Sequence, residues 1–383
     1  MVNSLSAKEN KKLVKQELKR ISKENSKVMK KFEKEKKRKN IDPSEYQATM
    51  KNPNNIVEID NLHTYFYTDM GVVRSVNGVS IDIPKGKTVA LVGESGCGKS
   101  VTSLSIMKLV QGPTGQIVDG QIRYSRAGGP VDIVKTPIKE MQKIRGNEIA
   151  MIFQEPMTSL NPIFTIGYQI DETIELHRPE LKKDEVKKQA IKMLELVGIA
   201  RPEGIYDAYP HELSGGMRQR VMIAMSLACD PKFIIADEPT TALDVTIQAQ
   251  ILDLLRQIKD KVDASILLIT HDLGVVAEMA DYVVVMYAGK IVEKGTAHDV
   301  FLNPQHPYTI GLIKSKPVVN KAIDRLYSIP GSVPNPIRMP SHCFFKERCE
   351  MCVDGCDGEI PTLIKVGETH EVACWRHQEK EGK

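Results

Sequence analysis

The run Gly93-Glu94-Ser95-Gly96-Cys97-Gly98-Lys99-Ser100 has the spacing G-x-x-x-x-G-K-S. Glycines so placed let backbone N–H groups wrap an anion without side-chain collision. The lysine offers a cation to terminal phosphates, and the hydroxyl that follows suits Mg²⁺. The context fits: Thr88-Val89-Ala90-Leu91-Val92-Gly93 reads as a buried strand before the loop, and Val101 to Leu109 as a helix after it. That helix points its N-terminal dipole at the anion. Gly93, Ser95, Gly96, Cys97, Gly98, Lys99, Ser100 and Val101 are therefore the candidate phosphate contacts. Cys97 suits the loop as a small residue better than as a redox centre.

A second set lies downstream. Phe233-Ile234-Ile235-Ala236-Asp237 is an apolar strand that ends in an acid, with Glu238 next. A strand-end Asp can hold Mg²⁺ directly or through water, and the adjacent Glu can orient and deprotonate an attacking water. Ser265-Ile266-Leu267-Leu268-Ile269-Thr270 is another apolar strand, and His271 at its end could sense a terminal phosphate by hydrogen bonding.

The elements that must position these groups alternate apolar runs with helical patterns, which predicts an α/β domain. Lys183 to Val197 has helical spacing, with Val186, Ala190, Met193, Leu194 and Val197 on one side. Val283 to Tyr287 and Lys290 to Glu293, split by Ala288-Gly289, read as a hairpin. The chain divides into a Lys-rich extension (1–52), the α/β domain (53–315) and a proline-rich tail (316–383).

The chain has 383 residues, 41% hydrophobic and 27% charged, the composition of a globular protein. No apolar run approaches the roughly 18 residues needed to span a bilayer, and the start at Met1 to Asn10 lacks a secretory apolar core. The net charge of +4 is uneven: the first 50 residues hold 15 Lys and Arg against 7 Asp and Glu, and the rest is mildly acidic. Lys11 to Lys39 could form a helix, either solvated or touching anionic lipid or a partner. Five of the seven cysteines crowd the tail: Cys343, Cys349, Cys352, Cys356 and Cys374. Without an export signal, such a cluster suggests a metal site more than disulfides.

Leu213-Ser214-Gly215-Gly216-Met217-Arg218-Gln219-Arg220 resembles the signature motif of ABC-type ATPases, and it lies just upstream of the acidic strand as in that family. The resemblance implies a P-loop core of ABC type with an antiparallel β subdomain and a helical subdomain at about 154–230. It also implies ATP and Mg²⁺ as ligands. Ser214, Gly215 and Gly216 would close on ATP held by a second ATPase subunit, giving two composite sites. Gln154 looks like the Q-loop glutamine that touches Mg²⁺, Ala242-Leu243-Asp244 resembles the D-loop, and His271 the switch histidine. Glu238 would be the general base. Phe66 falls where the family places an aromatic that stacks on adenine, and Tyr65 or Tyr67 could serve instead.

Asn303 to Thr309 and Ile329 to Pro334 look like the C-terminal extension of oligopeptide, dipeptide and nickel importer ATPases. The spacing of Cys343, Cys349, Cys356 and Cys374 is similar to cysteines proposed to hold a four-iron–four-sulfur cluster there. Cys352 stands outside that pattern. Four thiolates suit iron–sulfur or zinc equally on chemistry alone. The resemblance covers residues 56 to about 374. It implies a peripheral subunit on the cytoplasmic face of a membrane. The implied partners are two transmembrane permeases, a paralogous second ATPase and an extracellular substrate-binding protein, with peptide import ahead of nickel import. A soluble relative acting on nucleic acid or ribosomes is the remoter alternative, kept open by the basic head. A regulatory adaptor with a dead site is opposed by the intact motifs.

Overall fold

A computed structural model describes residues 7–36, 38, 41–153, 159–240, 244–315 and 327–378. Along the chain run α1 (Ala7–Lys36), β1 (Asn55–Thr68), β2 (Gly71–Pro84), β3 (Thr88–Val92), α2 (Lys99–Ile106), β4 (Gly115–Tyr124), β5 (Val131–Asp132), α3 (Ile138–Ile144) and β6 (Ile149–Ile152). A helical stretch follows: α4 (Ile166–His177), α5 (Lys183–Leu196), α6 (Pro202–Tyr206) and α7 (Gly215–Leu227). The chain then returns to the sheet through β7 (Phe233–Asp237), α8 (Val245–Val262), β8 (Ser265–Ile269), α9 (Leu273–Met279), β9 (Tyr282–Tyr287) and β10 (Lys290–Thr296). It ends with α10 (Ala297–Leu302), α11 (Pro307–Lys314), β11 (Ile364–Lys365), β12 (Glu371–Val372) and α12 (Trp375–Gln378).

Two sheets form. The larger has the order β11-β12-β10-β9-β3-β8-β7-β6, with β9, β3, β8, β7 and β6 paired in parallel. The smaller is antiparallel, in the order β2-β1-β4-β5. Strands buried on both faces need unbroken apolar runs, and their side chains alternate between two cores. Thus Ile234, Ala236, Ile266 and Leu268 face a core shared with α4, α5, α7 and α8. Phe233, Ile235, Leu267, Ile269, Val89 and Leu91 face the core under the antiparallel sheet.

The expected helix at Lys183 to Val197 is α5, with Val186, Ala190, Met193 and Leu194 buried. The expected hairpin is β9–β10, paired antiparallel.

Two segments depart from expectation. Half of α1 is docked: Asn25 Nδ2 donates to Thr68 O at 2.7 Å and Ser22 Oγ to Asp69 Oδ1 at 2.8 Å, so the helix caps the β1–β2 turn. Its N-terminal half keeps Leu13, Val14 and Leu18 exposed. The tail is loop-rich and is nevertheless built into the domain. β12 pairs with β10, and Phe344 and Phe345 enter a third core with Ala90, Val92, Val285, Tyr287 and Tyr308.

Candidate active site

The phosphate-loop candidates sit where β3 turns into α2. Gly98 takes φ 104° as the residue before α2, and a Cβ on it would lie 2.1 Å from Ser75 O. Gly93 takes φ 151°, and a Cβ there would lie 2.2 Å from Met286 O. Only glycine lets the loop pack so closely on its neighbours. Cys97 is buried in that packing, its thiol pushed up by desolvation, and its carbonyl accepts from Gly289 N at 3.0 Å. This is the environment of a small structural residue.

Lys99 is buried at the start of α2, and its Nζ donates to Gly93 O at 2.8 Å and to Glu94 O at 3.0 Å. The ammonium thus lies folded into the mouth of its own loop. Ser100 Oγ donates to Asp237 Oδ1 at 3.2 Å, and Ser103 Oγ to Asp237 Oδ2 at 3.4 Å. Burial pushes the Asp237 carboxyl up, and the bond from Ser100 opposes that. A buried carboxylate at the end of β7 beside a hydroxyl in the first turn of α2 is a donor pair suited to one divalent cation.

Glu238 follows Asp237 in the left-handed region, φ 47°, fixed by its N–H donating to Ile269 O at 2.8 Å. That turn carries its carboxylate toward the end of β8, where His271 Nδ1 lies 3.1 Å from Glu238 Oε1. His271 is largely exposed, and Glu238 is mostly buried. The sheet order explains the meeting: β7 and β8 are adjacent and parallel, so their C-terminal ends coincide.

Ser214 caps α7, its Oγ accepting from Met217 N at 3.4 Å. Ser214 and Gly215 are exposed, and a Cβ on Gly215 would meet nothing within 4 Å. These residues stand on the helical layer and face open space. Gln219, which sequence reasoning did not single out, is buried on α7 and donates to Pro239 O at 2.7 Å. It ties the signature helix to the residue after Glu238. Asp244 caps α8, accepting from Ile247 N at 3.0 Å. Gln154, Ala242 and Leu243 lie outside the described residues.

Phe66 is half-buried on β1 and packs toward Gly115, beside Val110. The Tyr65 hydroxyl is engaged with Asn77 Oδ1 at 2.8 Å and His63 Nδ1 at 3.0 Å. Tyr67 is likewise half-buried.

In the tail, Cys356 and Cys374 are buried, Cys343 and Cys349 partly so, and Cys352 is exposed. Burial pushes Cys343 and Cys374 up to about 11, with neighbouring cysteines of the set adding to the effect. Among the described residues, no group of three or more His, Cys, Asp or Glu side chains is gathered as the donors of one metal ion.

Residues 76–241 match the family described as ABC transporter, and residues 292–356 match the oligopeptide/dipeptide transporter C-terminal region. The oligopeptide transport ATP-binding protein AppD of Bacillus subtilis is 52% identical over 325 residues, 85% of this chain and 98% of that one. This chain belongs to the ATP-binding protein family of ABC transporters, in its oligopeptide/dipeptide branch. The dipeptide transport ATP-binding protein DppD of Bacillus subtilis is 48% identical over 85% of this chain and 96% of its own length. Among solved structures, the ATP-binding cassette MJ0796, a dimer in a post-hydrolysis state bound to ADP and Pi, superposes with TM-score 0.56 and 25% identity. It covers 63% of this chain and 98% of that one. CbiO1 of Clostridium perfringens gives TM-score 0.55 at 27% identity, over 65% and 92% of the two chains. An ABC ATPase binds ATP with Mg²⁺. No helix among the described residues is long and apolar enough to cross a membrane.

Proposed function

We propose that this chain is the ATP-hydrolysing subunit that powers a membrane importer of oligopeptides or dipeptides. The observation that carries the reading is the convergence of Lys99, Ser100, Asp237, Glu238 and His271 at the C-terminal ends of β3, β7 and β8. The Lys99 ammonium leaves the carbonyls of Gly93 and Glu94 for the terminal phosphates of ATP. The loop amides from Gly93 to Val101 cradle the rest. Ser100 and Asp237 with Gln154 would hold Mg²⁺, which would supply neutralisation of charge on the phosphates. Glu238 Oε1 accepts the proton of the attacking water, and His271 holds that carboxylate in place. Phe66 stacks on adenine. Ser214, Gly215 and Gly216 close on the nucleotide of a second ATPase subunit, a paralogue in our reading. The exposure of Ser214 and Gly215 at the α7 N-terminus supports a contact made in trans.

Two permeases would receive the stroke at the cytoplasmic face of the membrane, and an extracellular binding protein would choose the cargo. The relatives named for oligopeptide and dipeptide transport favour peptides over nickel. For the tail, Cys343, Cys349, Cys356 and Cys374 would be the thiolates of a four-iron–four-sulfur cluster in a structural role, a reading that rests on their spacing in the sequence.

Glu238→Gln tests the central assignment. ATP binding persists, turnover falls by at least about a hundredfold, and a nucleotide-bound dimer accumulates. Turnover at the wild-type rate removes Glu238 as the base.

A further inference from the structure

The phosphate loop carries a carboxylate, Glu94, directly after its first glycine. A negative charge there opposes the polyanion such a loop holds. The answer to it comes from 254 positions along the chain, in the tail. Arg348 Nη1 donates to Glu94 Oε2 at 2.7 Å and Nη2 to Glu94 Oε1 at 2.9 Å, a two-pronged pairing that fixes orientation as well as charge. The guanidinium is itself held. Its Nε donates to Pro330 O at 2.8 Å, and Nη1 also reaches the Tyr287 hydroxyl at 3.3 Å. It lies against the rings of Tyr287 and Phe345, and its side chain is 5% exposed. Glu94 is fixed through its backbone too, its N–H donating to the Tyr308 hydroxyl at 2.8 Å. The carbonyls of Gly93 and Glu94 are the two that hold Lys99 Nζ.

We propose that Arg348 is a positioning residue for nucleotide binding: it neutralises Glu94 and turns it from the phosphates, so that the tail sets the affinity of the loop. The proposal rests on the reading that the loop around Lys99 binds ATP. It predicts that the harm done by losing Arg348 comes from the carboxylate left behind, because an unpaired charge facing a polyanion is repelled by it.

ATP·Mg²⁺ binding by the full-length chain is measured by equilibrium titration. Arg348→Ala weakens binding by about tenfold, since one unscreened unit charge at such range is worth roughly a decade. Adding Glu94→Gln to Arg348→Ala brings affinity back to within about twofold of wild type, because the repelling group is gone. A tail merely unpacked by the substitution would not be repaired from inside the loop. If Arg348→Ala does not fold, Arg348→Gln, which keeps most of the side-chain volume and removes the charge, is compared with and without Glu94→Gln in the same way. Unchanged affinity, or a loss that Glu94→Gln does not reverse, overturns the proposal. Wild-type chain that fails to bind ATP, or Lys99→Ala that binds as well as wild type, overturns the underlying reading and the proposal with it.

Discussion

Gly96 and Gly98 lie two residues apart in the same loop, both with positive φ, and their surroundings differ. At Gly96, φ is 79° and a Cβ would meet nothing within 4 Å. At Gly98, φ is 104° and a Cβ would stand 2.1 Å from Ser75 O and 2.7 Å from Met286 Cε. Placing alanine in the left-handed region costs about 1–2 kcal/mol, and reducing the freedom of the unfolded chain returns about 0.4–1. Gly96→Ala therefore destabilises by about 1 kcal/mol. Gly98→Ala bears that strain and must also move the Ser75 carbonyl oxygen, a backbone atom of β2, by about 1 Å to reach ordinary contact. Overpacking of this kind adds about 1–3 kcal/mol, for a total near 3. Thermal unfolding without nucleotide keeps any effect on ATP binding out of the measurement. At roughly 2 °C per kcal/mol for a chain this large, Gly96→Ala lowers Tm by about 2 °C and Gly98→Ala by about 6 °C. Equal shifts would refute the reasoning, because they would mean that φ alone sets the cost.

His306 is fully buried, and burial holds its imidazole down to about 3. Its neutral form contributes stability that is complete above about pH 6.5 and is lost as pH falls toward 3, or about 2 kcal/mol by pH 5. His306 Nδ1 accepts from Tyr308 N at 3.0 Å, and His306→Asn keeps a capping acceptor without a titrating group. Urea unfolding at pH 7, 6 and 5 should show a flatter acid limb in that variant, and parallel curves would exclude His306 as the cause. Anaerobically purified chain should contain about four iron and four sulfide per molecule, lost in Cys343→Ser and kept in Cys352→Ser. Zinc in place of iron would remove the cluster.

The parts of the site that were legible in the sequence are those whose chemistry needs contiguous residues. Gly93 to Ser100 must be one run because the amides of a single turn wrap the anion, and β3 before it is apolar because it is buried on both faces. Asp237 and Glu238 were readable for the same reason, and the hairpin β9–β10 announced itself through Ala288-Gly289, both at positive φ. The pairs that close in space left no such trace. Nothing near Gln219 indicates that it would reach Pro239, and nothing near Glu94 points to Arg348. The docking of α1 was hidden too. Its anchor is a polar residue, Asn25, whose amide serves carbonyls of the β1–β2 turn, and hydrophobic periodicity does not register such contacts.

The arrangement of the cores bears on why the tail stays with the ATPase. Ala90 and Val92 of β3 look into the same core as Phe344 and Phe345, while Val89 and Leu91 look into the core under the antiparallel sheet. The strand that delivers the phosphate loop is therefore clamped between the antiparallel sheet and the tail. Tyr308 links the two levels, buried in the third core while its hydroxyl receives the Glu94 N–H. A disturbance in the tail has only a few packed side chains to cross before it reaches the loop, and closely packed side chains transmit a shift instead of absorbing it. The cysteine set begins one residue before Phe344 and continues one residue after Arg348. A cluster on Cys343 and Cys349 would therefore fix both ends of the segment that carries Phe344, Phe345 and Arg348.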